Sequence, residues 1–507
     1  MTIFRYQKLT QIEFERKIFY DKENLIYLGL AYSITVLLWW VFKKYYPFPN
    51  VIFDSYYYLN ATASNALVNA WPIGYSWFVS FIGRFSHSPN LFVTVQYFLL
   101  NTSLLIFFFS LKYLFNLPKW ISFILFIFLF FNPIYIYTSN LILSDALFTT
   151  LSILWISNII WIVNYPRYWM IITHAVLILM VFMVRYNALY YPMVGTISFL
   201  LIKKDYLYKL IGIFLQFFFI GAFIFFTIHK NKSTFGVNQF SSFGGWKLAN
   251  DALYMYKHVY KKKEDVLPPK FLPLEAHVKR YFDEKIDSVD LFTPDPTSGS
   301  YYMYIYPSPL LTYRDSVFGY VGSPLDIQTF SKLGPLYQEY GSRLVIKNPI
   351  AFSEYFIWPN IQRYFISPPE VYTDSYNPFT IRMDSLGLAT RKWFNLKSIS
   401  AKYSAINFRN TIFMNYPILN IIIHMMFSLT YISLMVMTGF SGIGGQLRKS
   451  IFIIGVLWIF DFGFNIIAAA VVLRYQIFIT VIEFSFAIIF LGRIINNKKS
   501  QSTPLNI

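Results

Sequence analysis

The chain has 507 residues, of which 56% are hydrophobic, 21% aromatic and only 13% charged, with a formal net charge of +18. A soluble protein carries about a quarter of its residues as charges, so this composition excludes an ordinary soluble globule. The sequence has no cysteine, which excludes disulfides, thiol catalysis and cysteine-ligated zinc.

Apolar runs of about 20 residues recur, the length that crosses a bilayer as a helix. Hydropathy places ten spans at 25–42, 90–111, 120–133, 144–163, 169–184, 188–202, 210–228, 412–437, 450–471 and 476–492. The first span follows a charged stretch and lacks a small-residue cleavage site, so it reads as retained. The segment 72–85 is apolar but too short to span and reads as an interfacial helix. The phenylalanine-rich stripes, such as "FILFIFLFF", read as lipid-facing or packing surface.

Lysine and arginine in the short loops set the orientation. With the N-terminus in the cytoplasm, the inside segments hold Arg5, Lys8, Arg16, Lys17, Lys22, Lys112, Lys119, Arg167, Lys203, Lys204, Lys209, Arg448, Lys449, Arg493, Lys498 and Lys499. The short outside segments hold only Lys43, Lys44, Arg84, Arg185 and Arg474. Much of the positive charge is therefore topological, and no nucleic-acid partner is implied.

Residues 229–411 have no spanning run and carry most of the acids. They divide the chain into an N-terminal membrane module (1–228), an outside domain (229–411) and a C-terminal membrane module with a basic tail (412–507). Within the outside domain, "LEAHVKRYFDEKIDS" and "YQEYGSRLVIKN" are amphipathic helices by periodicity. The stretch "TPDPTSGSYYMYIYPSPL" reads as a loop. "AFSEYFIWPNIQRYFISPP" is aromatic enough to lie along the membrane surface. There is no phosphate-binding glycine loop, and the six histidines have no metal-ligand spacing. Asn60, in "NATA", fits the short and common glycosylation pattern.

Charges inside an apolar sequence carry the functional signal, because burying one in hydrocarbon costs about 2.5–3.5 kcal/mol on insertion scales. Asp54 follows span one, Asp145 opens span four, Arg185 ends span five and Arg474 joins spans nine and ten. All four fall at the outer membrane level. Each alone is equally a snorkelling anchor; together they predict one shared polar site. Asp461 and Glu483 fall near the middle of spans nine and ten, with no basic residue expected at that depth. They read as interhelical hydrogen-bonding acids, or, in a transporter, as an ion relay.

These residues sit in short motifs that resemble the polytopic GT-C glycosyltransferases, which include protein O-mannosyltransferases and the aminoarabinose transferases of lipid A. "FDSYYYL" followed by "WPIGYSWFVSFIG" resembles their first acidic loop and the P-x-G-Y segment after it. "NPIYIYTSNLILSDALFTTLSIL" resembles their second acidic motif, and "MVRYNALYYP" and "LRYQIFITVIEFSFAIIFL" resemble their arginine segments. The resemblance covers 25–228 and 450–492. It departs from the pattern where Asp54 lacks an adjacent glutamate and where Ile73 replaces a second proline.

The resemblance implies an all-α, GT-C-like bundle of about ten transmembrane helices with a mainly α-helical periplasmic domain. It implies an inverting transferase that moves a sugar from a polyprenyl-phosphate donor to a hydroxyl on a protein, lipid or glycan, at the outer face of the inner membrane. Asp54 would be the general base. Asp145, the second catalytic candidate, would orient the sugar hydroxyls, an arginine or a divalent cation; no other cofactor is implied. Arg474 and Arg185 would hold the donor phosphate, and Tyr57, Tyr58 and Tyr475 the sugar or acceptor. Two competing readings are a transporter or flippase for a lipid-linked or polar substrate, and a structural membrane subunit.

Overall fold

The computed structural model describes residues 20–261, 267–284, 299–321, 326–369, 388–395, 406–442 and 445–501. The N-terminal charges Arg5, Lys8, Arg16 and Lys17 and the first part of the predicted loop, 293–298, lie outside them. Among the described residues every regular element is helical, and the only strand-like feature is one parallel bridge between Asn50 and Leu141. The chain is an all-α polytopic membrane protein.

The first half consists of α1 (Lys22–Tyr45), α2 (Phe53–Ala63), α3 (Gly74–Gly83), α4 (Pro89–Leu114), α5 (Lys119–Phe131), α6 (Pro133–Ser139), α7 (Ser144–Asn164), α8 (Tyr168–Val184), α9 (Tyr191–Leu201) and α10 (Tyr206–Phe235). The middle holds α11 (Ser242–Tyr256), α12 (Leu272–Asp283), α13 (Pro309–Phe318), α14 (Ile327–Lys347) and α15 (Trp358–Phe365). The chain closes with α16 (Ile406–Gly442), α17 (Gly445–Ala468) and α18 (Leu473–Gln501).

Eight helices among the described residues are long and apolar enough to cross a membrane: α1, α4, α5 with α6, α7, α10, and the apolar stretches of α16, α17 and α18. The two remaining expected spans are shorter. The 17 residues of α8 rise about 25 Å, and the 11 of α9 about 16 Å, at 1.5 Å per residue. Between them Arg185 is extended (φ −151°, ψ 131°) and Tyr186–Tyr190 form a 3-10 turn, so residues 188–190, which hydropathy counts in a span, are spent on a bend. α7 and α18 are buried on most sides and form the axis of the bundle; α1, α10 and α16 bury a minority of their residues and form its rim.

Local chemistry sets the breaks. Asn132 Oδ1 accepts from Ile134 N–H at 3.1 Å and Pro133 opens α6, a cap-and-proline restart of the helix. α10 stops at Gly236, whose φ of 75° is the left-handed conformation of a helix C-terminus. The middle region begins there. Its core is the crossing of α11 and α14, which meet through glycine: a Cβ on Gly245 would stand 2.1 Å from Gly334 O.

The two amphipathic segments are helical where described, as α12 and the C-terminal half of α14. The predicted loop instead contains a helical turn at Tyr301–Tyr304 and leads into α13. The aromatic stretch beyond residue 351 does not lie only on the surface. Asn360 and Tyr364 of α15 are fully buried among the C-terminal spans, while Trp358 and Ile366 stay exposed. Asn360 Nδ2 donates to Ile466 O at 3.3 Å, its Oδ1 accepts from Val471 N–H at 3.4 Å, and Leu473 N–H donates to Pro368 O at 2.9 Å. These contacts brace the turn between α17 and α18, next to Arg474.

Candidate functional site

Asp54 is the second residue of α2 and Asp145 the second of α7, in the first turns where a carboxylate is favoured by the helix dipole. Arg474 is the second residue of α18, and Arg185 caps the C-terminus of α8. Four elements far apart in sequence thus meet at one end of the bundle, three of them by their N-termini.

A hydrogen-bonded frame holds them there. Ser55 Oγ caps the start of α2 by accepting from Ile52 N–H at 3.0 Å. Asn50 N–H donates to Asn140 O at 2.7 Å, and Ile142 N–H to Asn50 O at 2.9 Å, tying the approach to Asp54 to the approach to Asp145. Gln96 of α4, 1% exposed, donates from Nε2 to Ser139 O and Leu141 O, both at 3.1 Å, and accepts from Tyr75 O–H at 3.0 Å. The glycine before Tyr75 lets α3 approach the end of α8: a Cβ on Gly74 would stand 2.6 Å from the carbonyl carbon of Met183. The P-x-G-Y segment therefore braces both Asp145 and Arg185.

The charges alternate in sign. Arg474 Nη1 lies 3.3 Å from Asp54 Oδ2 and 3.9 Å from Asp145 Oδ2, and Arg185 Nη1 bonds Asp145 Oδ1. Both guanidiniums lie over the Tyr475 ring, Arg185 at 4.6 Å and Arg474 at 5.0 Å from its centroid, and Arg474 Nη2 donates to Tyr475 Oη at 3.2 Å. The ring's negative face offsets repulsion between two like charges.

The cluster opens on a cavity of about 450 Å³, within the range of roughly 300–1,000 Å³ that holds small molecules. Asp54, Tyr58, Arg185, Arg474 and Tyr475 line it. Two of the expected residues stand back from it. Asp145 is 2% exposed and serves as the buried counter-ion of Arg185, the second of the three roles open to it. Tyr57 stacks on Trp71 at 4.2 Å and is a packing residue. Tyr58 donates to Ser144 Oγ at 3.2 Å; burial and the nearby Asp54 carboxylate push its hydroxyl well above the usual phenol range.

Among the described residues no three His, Asp or Glu side chains gather closely enough to hold a metal ion. Asp54 and Asp145 each face a guanidinium, a donor set already neutralised and unlike that of a divalent-cation site.

The sequence reading missed the wall that α11 contributes. Lys247 and Asp251 line the same cavity as an ion pair at 2.9 Å. Burial raises the Asp251 carboxyl to about 6, against the opposing pull of Lys247. The helical turn after Gly299 leads to Tyr304, whose ring meets Phe53 at 5.4 Å. Burial, and then Asp54, push the Tyr304 hydroxyl well up.

Deeper in the bundle, Asp461 accepts from Tyr190 O–H at 2.8 Å and from Tyr364 O–H at 2.9 Å, which is the interhelical role expected of it. Glu483 is different. His424 of α16 places Nδ1 2.6 Å from Glu483 Oε2, both side chains fully buried, so a basic residue does stand at that depth. The contact is close but poorly aligned, and neither atom meets hydrogen-bond geometry. No family model matches the chain, and no curated protein or solved structure matches it.

Proposed function

We propose that the chain is an inverting glycosyltransferase of the inner membrane, which moves a sugar from a polyprenyl-phosphate donor to a hydroxyl acceptor on a protein, lipid or glycan. The observation that carries this reading is the alternating cluster Asp54–Arg474–Asp145–Arg185 at the mouth of one cavity. A donor phosphate at Arg474 stands beside Asp54, because the two side chains already touch. The leaving group and the base are thereby brought within reach of one anomeric carbon.

The chemistry follows from that placement. The acceptor oxygen attacks the anomeric carbon and Asp54 takes its proton. The bond from that carbon to the phosphate oxygen breaks, and its electron pair stays on the phosphate. Arg474 and Arg185 receive the charge in a planar, permanently ionised fork, and the converging helix N-termini add to it. Phosphate leaves as a stable anion, so the second, protonated carboxyl that a glycosidase needs has no task here. One displacement inverts the centre. Asp145 keeps Arg185 oriented and charged.

The position of the cluster supports an outward-facing site with cytoplasmic termini. Phe464 and Asn465 of α17 line the cavity. Lys449, close enough to Lys203, Lys209 and Arg448 to feel their charge, is about 20 Å away along the same helix. The basic residues therefore gather at the end away from the cavity, as they do on a cytoplasmic face.

A transporter is the second reading, favoured by the buried Glu483–His424 contact between spans. Purified protein in detergent separates the two, because transfer needs no sealed compartment. The expected result is consumption of a polyprenyl-phosphate sugar from a total lipid extract, abolished by Arg474→Ala. Failure to consume any donor, with Glu483-dependent substrate movement in sealed vesicles, would replace the transferase with the transporter.

A further inference from the structure

Twelve of the fifteen residues of α11 are buried, and Lys247 and Asp251 are two of them, with side chains 8% and 3% exposed. A buried ion pair is seldom retained for stability, since apolar residues of like volume serve as well. Both members line the cavity that holds Asp54 and the two arginines.

The pair is fixed from behind. Lys247 Nζ also donates to Gly299 O at 2.8 Å. Asn250 Nδ2 donates to Asp251 Oδ1 at 2.9 Å and to Gly299 O at 3.0 Å, and Asn250 Oδ1 accepts from Tyr302 N–H at 2.9 Å. Asp251 Oδ1 is thus held by two donors. An ionised carboxylate has about four lone-pair sites and an ammonium three protons, so each group has capacity left for a ligand.

We infer that Lys247 and Asp251 form a hydroxyl-binding subsite for a neutral, polyhydroxylated sugar ring. This rests on the reading of the cavity as a lipid-phosphosugar site and assigns the donor's sugar to the α11 wall. Asp251 accepts from ring hydroxyls and Lys247 donates to one. Trp71 and Phe243 line the same cavity and give it an apolar border beside the pair. The pair neutralises itself, so it selects no net charge, whereas the phosphate is left to Arg185 and Arg474. A site built to hydrogen-bond hydroxyls discriminates strongly against a ligand that lacks them.

The test uses the full chain in detergent, with farnesyl phosphate and farnesyl phosphates carrying glucose, mannose, galactose or N-acetylglucosamine as probes. Binding is read by tryptophan fluorescence, since Trp71 lines the cavity. At least one sugar-bearing probe should bind about tenfold tighter than farnesyl phosphate. The double variant Lys247→Gln with Asp251→Asn leaves no orphaned charge; it should lose that gain and bind farnesyl phosphate as the wild type does. Asp251→Glu, which keeps the charge but moves the carboxylate, should lose most of it too. A gain that survives in both variants overturns the subsite and leaves the lipid-phosphate reading standing. Sugar probes that bind through Lys247 and Asp251, when farnesyl phosphate does not bind at all, support the subsite and remove the lipid-phosphate reading. If no probe binds the wild type, both fall.

Discussion

Arg474 and Asp54 lie 420 residues apart in the chain and 3.3 Å apart in space. The first turns of α2 and α18 are therefore parts of one site, and neither is complete alone. Asp54 keeps 21% of its side chain exposed, Arg474 11%, and Asp145 only 2%. In the proposed mechanism that gradient divides the roles: the more open carboxylate is the one that meets the acceptor, and the buried one holds an arginine.

Asp54→Asn is nearly isosteric but cannot take a proton. Turnover should fall by about 10²-fold or more, the scale of general-base catalysis, with expression and donor binding retained. Asp145→Asn should behave differently. It leaves Arg185 without its buried counter-ion, so the melting temperature should fall along with donor affinity. Steady-state kinetics and thermal unfolding of the two variants decide this; a stable Asp145→Asn protein with lost turnover and normal donor binding would exchange their roles.

Gly74→Ala tests the brace beneath Arg185. The new Cβ would meet the Met183 backbone at 2.6 Å, so α3 or the end of α8 must move. Overpacking of this kind costs about 1–3 kcal/mol, and the shift passes to Arg185 two residues on. A lower melting temperature and weaker donor binding are expected. Gly29→Ala, in the open on α1 with nothing within 4 Å, should leave both unchanged or slightly improve stability. Equal effects of the two would show that the close approach is not structural.

What the sequence made legible follows the same physics. Asp54, Asp145, Arg185 and Arg474 stand out because a charge in an apolar run is expensive, and their depth along the spans grouped them correctly. Lys247 and Asp251 were invisible for the opposite reason. In a region with ordinary charge content, a lysine and an acid four apart read as an exposed helical pair, and only the packing of α11 against α14 shows them buried. His424 was missed because a lone histidine in a span has no local partner, and its contact Glu483 is on another helix. The shortness of α9 was also hidden, since hydropathy counts residues 188–190 in the span while the chain spends them on the 3-10 turn that ends at Tyr190.

The Asp251 carboxyl gives a pH signature. Its folded value of about 6 lies above the ordinary 3.8 because burial disfavours the charged form. Between those values the folded protein binds more protons than the unfolded chain, so this residue's contribution to stability rises as pH falls from about 7 to 4. It is lost again as pH climbs through 6. The span of about two units corresponds to roughly 3 kcal/mol at most. Melting temperatures of wild type and Asp251→Asn at pH 7.5 and pH 5 isolate it: the wild type should gain on the variant at the lower pH. A pH-independent difference would mean that Asp251 titrates as an ordinary carboxyl.

Sidedness underlies every step of the proposed chemistry, because a lipid-borne sugar and its acceptor must meet Asp54 on one face. The chain lacks native cysteine, so single cysteines can be introduced without background. Ser64 follows α2 and is exposed, as is Ser233 near the end of α10. Lys204, exposed between α9 and α10, is separated from Ser233 by nearly the whole 30-residue α10, about 45 Å of helix. A membrane-impermeant thiol reagent added to intact cells should label Ser64→Cys and Ser233→Cys but not Lys204→Cys, and all three should label after permeabilisation. Ser64 reports on the end of α2, the helix that carries Asp54, Ser233 on the entry to the region that carries Lys247 and Asp251, and Lys204 on the basic end. If Lys204→Cys labels from outside and the other two do not, the site faces the cytoplasm, the orientation drawn from the basic residues is inverted, and an outward-facing polyprenyl-phosphate transferase is excluded.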